Sequence, residues 1–161
     1  LKIDGHEHIH MIPWILKYLL KIKKKYKIKE FRNSNESIML PRLGDLLSFR
    51  YYRNMIACLV VKFLYNIQGR PKLNGPKFSG IIYSGIQNKE TIIKTINYFR
   101  KSNQKVYEIL IHPGHSGLKE RREFKENYFN FYNSKNRKEE FNLCFSKKIK
   151  MELSLFAKTV W

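Results

Sequence analysis

The sequence predicts an α/β fold, because short apolar segments with strand character alternate with stretches of helical periodicity about four times along the chain. Such alternation is typical of β-α-β units around a parallel sheet or barrel, and it disfavours a sandwich of two sheets. In parallel α/β folds, ligands bind at the C-terminal ends of the strands. Residues that directly follow a predicted strand are therefore the first candidates for a functional site.

Two of these units are predicted in the first half of the chain. A strand that ends at Asp4 precedes a helix at residues 13–26, in which apolar side chains recur at intervals of about 3.6 residues and Pro13 suits the first turn. A second strand, 26–31, leads through a polar loop to a longer helix at 46–67.

The second half of the chain continues this pattern. A strand is predicted at 78–83, and Asn88 is a suitable N-cap for the helix that follows. That helix has an apolar face made of Ile92, Ile93, Ile96 and Phe99. The clearest strand, 106–111, ends at His112, and the charged, asparagine-rich stretch beyond it predicts one peripheral helix near 137–148.

Length and composition favour a single folded domain over residues 1–161. The content of 43% hydrophobic and 14% aromatic residues argues against disorder. The longest apolar stretch, 55–64, is interrupted by Lys62 and falls far short of the ~20 residues of a membrane-spanning helix, so no span is predicted. The chain starts without an initiator methionine or a signal peptide, and we expect the natural protein to begin earlier.

The two cysteines, Cys58 and Cys144, lie far apart and do not have the spacing of metal ligands. Cys58 lies in an apolar run, which favours a buried free thiol over a disulfide. Free thiols are typical of a reducing compartment, so we expect a cytoplasmic protein.

The formal net charge of +19 suggests attraction to nucleic acid, anionic lipid or acidic polysaccharide. Much of the charge comes from lysines interleaved with isoleucine, tyrosine and asparagine, as in residues 21–30, and no RNA-binding aromatic motif accompanies them. A solvated lysine-rich face is the interpretation we favour, and nucleic acid is not an expected partner. A basic binding module without catalytic activity is kept as an alternative.

All five histidines of the chain fall in two clusters. The first contains His6, His8 and His10, and the second contains His112 and His115. Each cluster directly follows a predicted strand, so both are expected at the edge of the sheet where α/β folds bind ligands. We therefore predict that the two segments converge on one pocket.

The first cluster has the composition of a metal site. In an extended segment, side chains alternate between faces, so Asp4 and the three histidines after it would project to the same side. Neutral imidazoles and carboxylates suit Zn²⁺ or another divalent ion, and an open position would lower the pKa of bound water toward ~7. Hydrolysis is then the expected reaction class. Surface or hydrogen-bonded core histidines are the structural alternative.

The second cluster is weaker evidence when taken alone. Pro113 and Gly114 can form a simple turn, and His112 can merely end the strand. On that strand Glu108 and His112 share a face, and a buried Glu108 requires a partner. We expect Glu108 to orient His112 or to pair with a basic group, unless it lies on a solvent-facing edge.

These same residues resemble a known family. IDGHEHIHMIP, at 3–13, resembles the DSHxHxHxxP segment of YdjC/ChbG-type carbohydrate deacetylases, and YEILIHPGH, at 107–115, resembles their later E-x-x-x-HPG segment. Two further features agree with the pattern of this family. They are Arg32 after a short strand, and RKEEF at 137–141, which is similar to an R-x-x-E-L ending. The resemblance covers about 1–143, and the tail at 147–161 is unmatched.

The resemblance implies the C-terminal half of a distorted TIM-like (β/α) barrel that hydrolyses N-acetyl groups of amino sugars or chito-oligosaccharides. It implies a divalent metal, Mg²⁺ or Zn²⁺, with His6 as a ligand, and catalytic roles for His8 and His112. Substrate contacts or a supporting shell are implied for Asp4, His10, Arg32, Glu108 and His115. The expected partner is a carbohydrate, and a homodimer is left open.

The sequence departs from the family pattern in three respects. The N-terminal Asp-Asp motif and a mid-chain histidine, which supply the other two metal ligands, are absent, and Gly5 replaces a serine. The serine replacement is expected to change little sterically, whereas the missing ligands predict that this chain is inactive alone and active only within a longer one. Another metal-dependent hydrolase, such as an amidohydrolase or a PHP-type phosphoesterase, is the alternative enzyme class.

Overall fold

The structure is a computed structural model that describes residues 1–39, 41, 43–102, 106–114 and 134–158. The predicted α/β class is confirmed, because helices alternate with short parallel strands. The chain divides into two compact units, Leu1–Ile82 with Val106–Leu110 and Tyr83–Lys105 with Ile111–Trp161. A single domain over residues 1–161 stays a prediction.

The first unit contains the parallel strands. They are β1 (Lys2–Ile3), β2 (Glu30–Phe31), β3 (Lys77–Ser79) and β4 (Tyr107–Ile109). Strand β1 pairs with β2 and β3 pairs with β4, and an isolated parallel bridge from Asn33 to Lys77 lies between the two pairs. The order is therefore β1-β2-β3-β4, which brings the C-terminal ends of these strands to one edge.

Strand β3 is shorter than predicted, because the chain turns away after Ser79. Gly80 has a φ of 156°, in the region that favours glycine, and a Cβ added there would lie 2.5 Å from the Leu110 Cβ. The chain therefore needs glycine at this point, where it leaves the sheet. The second strand is also shorter than predicted, since residues before Glu30 form a turn.

Two α-helices of the first unit are α1 (Pro13–Ile22) and α2 (Phe49–Ile67). Pro13 occupies the first turn of α1, as predicted. Helix α2 begins three residues later than predicted, because Leu43–Leu47 forms a separate 3₁₀ helix and the Ser48 side chain caps α2 by accepting the Tyr51 N–H at 3.3 Å.

The core of the first unit lies between α1 and the start of the sheet. It consists of Met11, Leu16, Ile28, Phe31 and Leu73. Burial of such a side chain contributes roughly 1.5–3 kcal/mol, so this cluster holds the histidine segment before α1 against β2. Helix α2 is tied to the same segment, because the Gln68 side chain donates to the Met11 carbonyl at 3.0 Å.

The second unit contains α3 (Lys89–Arg100), α4 (Lys135–Leu143) and α5 (Lys147–Lys158). The predicted cap is confirmed, since Asn88 Oδ1 accepts the N–H groups of Glu90 and Thr91, each at 3.1 Å. The predicted apolar face of α3 is also largely confirmed, with Ile92, Ile96 and Phe99 buried.

The single peripheral helix predicted near 137–148 is wrong. The chain forms α4 and α5 instead, separated by a turn at residues 144–146. Ser146 begins the second helix, because its hydroxyl accepts the Ile149 N–H at 3.4 Å. Helix α5 is fixed to α3 by an ion pair of 2.8 Å between Arg100 and Glu152.

Within the part of the chain that the structure describes, no helix is both long and apolar enough to cross a bilayer.

Candidate functional site

The first histidine segment is not extended, so the prediction that Asp4, His6, His8 and His10 share one side is wrong. His6–Met11 forms 3₁₀ turns interrupted by a kink, where Glu7 and His8 leave the helical conformation with positive φ values of 49° and 62°. The turn is closed by a hydrogen bond of 3.0 Å from the His8 N–H to the Gly5 carbonyl. A helical turn rotates successive side chains around its axis, which leaves His6 exposed, His8 half-buried and His10 buried.

Gly5 is required by this turn. A Cβ at Gly5 would lie 2.8 Å from His10 Nδ1 and 2.9 Å from the His10 backbone nitrogen. The Gly5 N–H donates to that same Nδ1 atom at 3.0 Å. The expectation that glycine in place of serine changes little sterically is therefore wrong, because a serine side chain would collide with the His10 ring.

His10 is held at both ring nitrogens. Its Nδ1 accepts the Gly5 N–H, so Nε2 carries the proton and donates to the Arg32 carbonyl at 2.8 Å. The side chain is only 1% exposed, and burial lowers its pKa although the two backbone hydrogen bonds and Asp4 oppose that shift. His10 is therefore a neutral histidine that fixes the turn to the end of β2.

His8 lies beside His10 and is oriented by Ser34. The distance from His8 Nδ1 to Ser34 Oγ is 2.8 Å, and Ser34 Oγ is also 3.4 Å from His10 Nε2. The His8 ring meets the Phe78 ring edge-on, with centroids 5.3 Å apart. Sequence reasoning missed Ser34, since it lies in a polar loop with no recognisable motif.

Arg32 joins acidic residues from two strands. Its guanidinium is 2.5 Å from Asp4 Oδ1, directly after β1, and pairs closely with Glu108 on β4. Glu108 also accepts a bond of 2.8 Å from Lys2 Nζ. The guanidinium carbon lies 5.2 Å from the centroid of the Phe78 ring. Predicted site residues Asp4, Arg32 and Glu108 are thus brought together.

The charge state of Glu108 follows from these contacts. Burial raises the pKa of the Glu108 carboxyl, but hydrogen bonds and charges from Lys2 and Arg32 outweigh burial and hold the pKa below its usual value. Glu108 is therefore ionised at neutral pH. Positive and negative side chains alternate along this ion cluster, which runs from Lys2 through Glu108 and Arg32 to Asp4.

Glu36 is a buried carboxylate that sequence reasoning missed. It accepts the Ser79 hydroxyl at 2.5 Å and the N–H groups of Gly80, Ile81 and Ile82 at 3.1, 2.6 and 3.1 Å. Burial raises the pKa of Glu36, and these donors offset part of that rise. The residue ties the loop after β2 to the turn after β3.

The second unit also contains a buried carboxylate, that of Glu140 on α4. It is fully buried and accepts the N–H of His112 in a short hydrogen bond. The Arg137 side chain donates to the Pro113 carbonyl at 3.3 Å, and a Cβ at Gly114 would overlap the Arg137 guanidinium. The R-x-x-E spacing of α4 is the signal that could have added Arg137 and Glu140 to the predicted site.

His112 is less constrained than His10. Among the described residues its Nδ1 has no hydrogen-bond partner, and it lies 3.9 Å from Glu140 Oε2. Burial and then the charge of Arg137 lower the pKa of His112, whereas burial raises the pKa of Glu140. His112 is therefore neutral near pH 7.

The predicted metal site is not assembled by the described residues. In residues 1–39, 41, 43–102, 106–114 and 134–158, no group of three or more His, Cys, Asp or Glu side chains is placed to hold an ion. His6 is exposed and could offer one ligand. His115 lies outside the described residues, and convergence of the two histidine segments stays a prediction.

Parallel strands with ionisable side chains gathered near their ends define an α/β protein whose sheet edge is of the kind that binds ligands. The family described as YdjC-like protein matches residues 3–154, and the chain belongs to that family. At the family level this relates the chain to carbohydrate deacetylases. The match extends beyond residue 143, where the resemblance in the sequence ended. Neither a curated protein nor a solved structure matches the chain.

Proposed function

We propose that this chain belongs to a metal-dependent hydrolase that removes N-acetyl groups from amino sugars or chito-oligosaccharides. The observation that carries the proposal is the family match over residues 3–154, and the cluster of Asp4, Arg32 and Glu108 in the first unit supports it. We also propose that the parallel strands belong to a distorted TIM-like barrel, whose active site would lie at this edge.

Asp4 and Arg32 are assigned to binding of the sugar. The Asp4 side chain is 39% exposed and the Arg32 side chain 12%, so a sugar hydroxyl can reach Asp4 more readily than Arg32. Arg32, fixed between Asp4 and Glu108, holds the carboxylate in one orientation before substrate arrives. Glu108 is assigned a supporting role through Arg32.

His8 and His112 are assigned the proton transfers. Ser34 orients the His8 ring, and a neutral imidazole can protonate a leaving amine after it has gained a proton. The lowered pKa of His112 keeps its imidazole neutral at pH 7, which suits a proton acceptor or a hydrogen-bond partner of the acetyl group. His10 contributes by position only, since both of its nitrogens are bonded.

A divalent ion is part of this proposal, but the described residues alone do not fit one. His6 is the exposed histidine of the first segment, whereas tight sites for Zn²⁺ require three or four protein ligands and the described residues assemble no such group. We therefore assign no step of the reaction to the ion, and His6 is proposed as a ligand that other groups must complete.

The proposal is tested by acetate release from N-acetylated chito-oligosaccharides in the presence of Mg²⁺ or Zn²⁺. The natural polypeptide that carries this chain is compared with its His8→Gln and His112→Gln variants, and with Lys17→Gln as an exposed control. We expect kcat to fall by roughly 100-fold or more in either histidine variant. The Lys17→Gln control should have the same kcat as the parent protein.

His6→Gln separates the metal role from the proton-transfer roles. Its activity should recover as the metal concentration is raised, because loss of one ligand weakens metal affinity, whereas the other two histidine variants should stay impaired. A folded parent protein that releases no acetate would refute the deacetylase proposal. Binding to nucleic acid that collapses with salt and ignores His6→Gln would favour the basic binding module instead.

A further inference from the structure

His112 lies in a segment whose backbone is held by helix α4. Its N–H donates to Glu140 Oε2, and its carbonyl accepts a bond of 3.5 Å from Arg137 Nε. Two residues later, the Gly114 N–H donates to the Arg137 carbonyl at 3.2 Å. Helix α4 therefore holds both ends of residues 112–114, and the backbone position of His112 is set by this helix.

The His112 ring, in contrast, has a hydrogen bond that is not made. Nδ1 is buried although 36% of the side chain is exposed, so the exposure comes from other side-chain atoms. Nδ1 lies 3.9 Å from Glu140 Oε2, which is too long for a hydrogen bond, and it has no partner among the described residues. A buried polar atom without a partner requires an explanation.

Glu140 has unused hydrogen-bonding capacity of its own. The residue is 0% exposed, and its Oε1 is also buried without a hydrogen-bond partner in the described part of the chain. The carboxyl accepts hydrogen bonds from the backbone of His112, Gln87 and Gly85. Since Oε2 already accepts the His112 N–H, this oxygen presents a lone pair, and not a proton, to the ring beside it.

A rotation of the His112 side chain would connect these two groups. Shortening the Nδ1–Oε2 distance by about 1 Å gives an ordinary N–H···O bond, and the backbone need not move. Hydrogen bonds between the groups of an active site are often long without substrate and shorten when it binds. The separation of 3.9 Å therefore fits a bond that closes when the site is occupied.

We propose that Glu140 is the positioning residue of His112: it accepts the proton of Nδ1–H, fixes the tautomer of the ring and leaves the Nε2 lone pair for the substrate. The hydrogen bond at one ring nitrogen determines the protonation of the other. The consequence for catalysis rests on the proposed deacetylase function, whereas the tautomer itself does not.

The tautomer decides between the two roles that are open to His112. With the proton on Nδ1, the Nε2 atom can accept a proton. With the proton on Nε2, that atom could only donate a hydrogen bond to the acetyl oxygen. An oxygen acceptor beside Nδ1 favours the first form. The orientation by Glu140 therefore assigns His112 as a proton acceptor, and the carboxylate would stabilise the cation that forms.

Nitrogen-15 NMR at neutral pH tests the proposal, with labelled histidine in the natural polypeptide that carries this chain. Protonated and unprotonated ring nitrogens differ clearly in chemical shift, so the spectrum identifies the tautomer. We expect the Nδ1–H form for His112 in the parent protein. The His112→Gln variant assigns the signals, because it removes those of this residue.

Glu140→Gln removes the charge and keeps the shape of the side chain. We expect the His112 signals to move toward the Nε2–H form that free histidine prefers. In acetate release, kcat should fall by about 10-fold or more with KM unchanged, because the proton acceptor is lost from part of the molecules. Glu139→Gln is the matched control, since it removes a carboxylate from the same helix where the side chain is 45% exposed. It should change neither the tautomer nor kcat.

Circular dichroism and urea unfolding establish that each variant is folded. A parent protein with His112 in the Nε2–H form would overturn the proposal, and that result does not depend on the stability of any variant. So would a folded Glu140→Gln variant with the tautomer and kcat of the parent protein, since Glu140 would then serve the fold alone. A parent protein that has the Nδ1–H form but releases no acetate would refute the deacetylase function and still support the orientation of His112 by Glu140.

Discussion

His10 and His112 come from the two histidine segments, yet their surroundings differ. His10 is buried with a hydrogen bond at each ring nitrogen. His112 is half-buried, and among the described residues its Nδ1 has no hydrogen-bond partner. Histidines of similar motifs are therefore held differently, one bonded at both ring nitrogens and the other with a buried Nδ1 that has no hydrogen-bond partner among the described residues. Buried polar groups that are fully bonded stabilise a fold, whereas unbonded ones require another explanation.

The largest expected effect concerns Glu36, which anchors the turn beside the His10 network. Glu36→Ala should lower the free energy of unfolding by about 3–5 kcal/mol, because three buried N–H groups and one hydroxyl lose their acceptor. Urea unfolding measures this loss. Glu36→Gln is the matched control and should lose less, since it keeps one acceptor oxygen. Equal losses of unfolding free energy in both variants would show that Glu36 stabilises the fold through its charge and not through its hydrogen bonds.

The next effect concerns His10 itself. His10→Ala should lower the free energy of unfolding by about 2–4 kcal/mol. The Gly5 N–H and the Arg32 carbonyl would lose their partner, and a cavity would open where the ring was. Urea unfolding at neutral pH again provides the measurement. A cost below that of the corresponding His112 variant would contradict the assignment of His10 to the scaffold.

The pH dependence of stability provides a second test of His10. Burial lowers the pKa of folded His10, so the unfolded chain takes up a proton first as the pH falls below the ordinary value of 6.5. The contribution of His10 is therefore present above pH 6.5 and is lost as the pH falls toward its folded pKa. His10→Gln should flatten the unfolding free energy over that window, which repeated urea titrations would show.

A smaller effect is expected from Gly5→Ser, which restores the residue usual in the family. The added Cβ would displace the His10 ring, and we expect a loss of roughly 1–2 kcal/mol in urea unfolding. Gly44→Ser is the matched control, because a Cβ there meets nothing within 4 Å. A Gly5→Ser variant with an unchanged free energy of unfolding and an unchanged His10 pKa would show that the turn accommodates the added side chain.

Periodicity and capping predicted much of the secondary structure. The start of α1 at Pro13 and the capped α3 after Asn88 follow from local rules that need no knowledge of the tertiary fold. Strand β3 was predicted too long, because its end is set by Gly80 and by hydrogen bonds to Glu36, a residue distant in sequence. Contacts of this kind leave no local pattern.

The candidate site was predictable as residue types but not as geometry. The spacing of the histidines predicted a strand-like alternation, whereas two consecutive residues with positive φ produced a turn. That turn depends on the contact of Gly5 with His10, five residues away. Glu36 and Ser34 lie in a polar loop that resembles many solvated loops, so their burial could not be derived from composition.

The smallest stability effect, and the sharpest contrast with His10, concerns His112. His112→Gln should change the free energy of unfolding by less than about 1 kcal/mol, since the bond from its backbone N–H to Glu140 does not involve the ring. Burial and Arg137 lower the His112 pKa, so Arg137→Gln should raise that pKa in an NMR titration, and the exposed neighbour Lys138→Gln should change it less. Equal shifts in both variants would show that Arg137 has no specific role. An unbonded ring nitrogen beside a buried carboxylate would then be explained by packing alone.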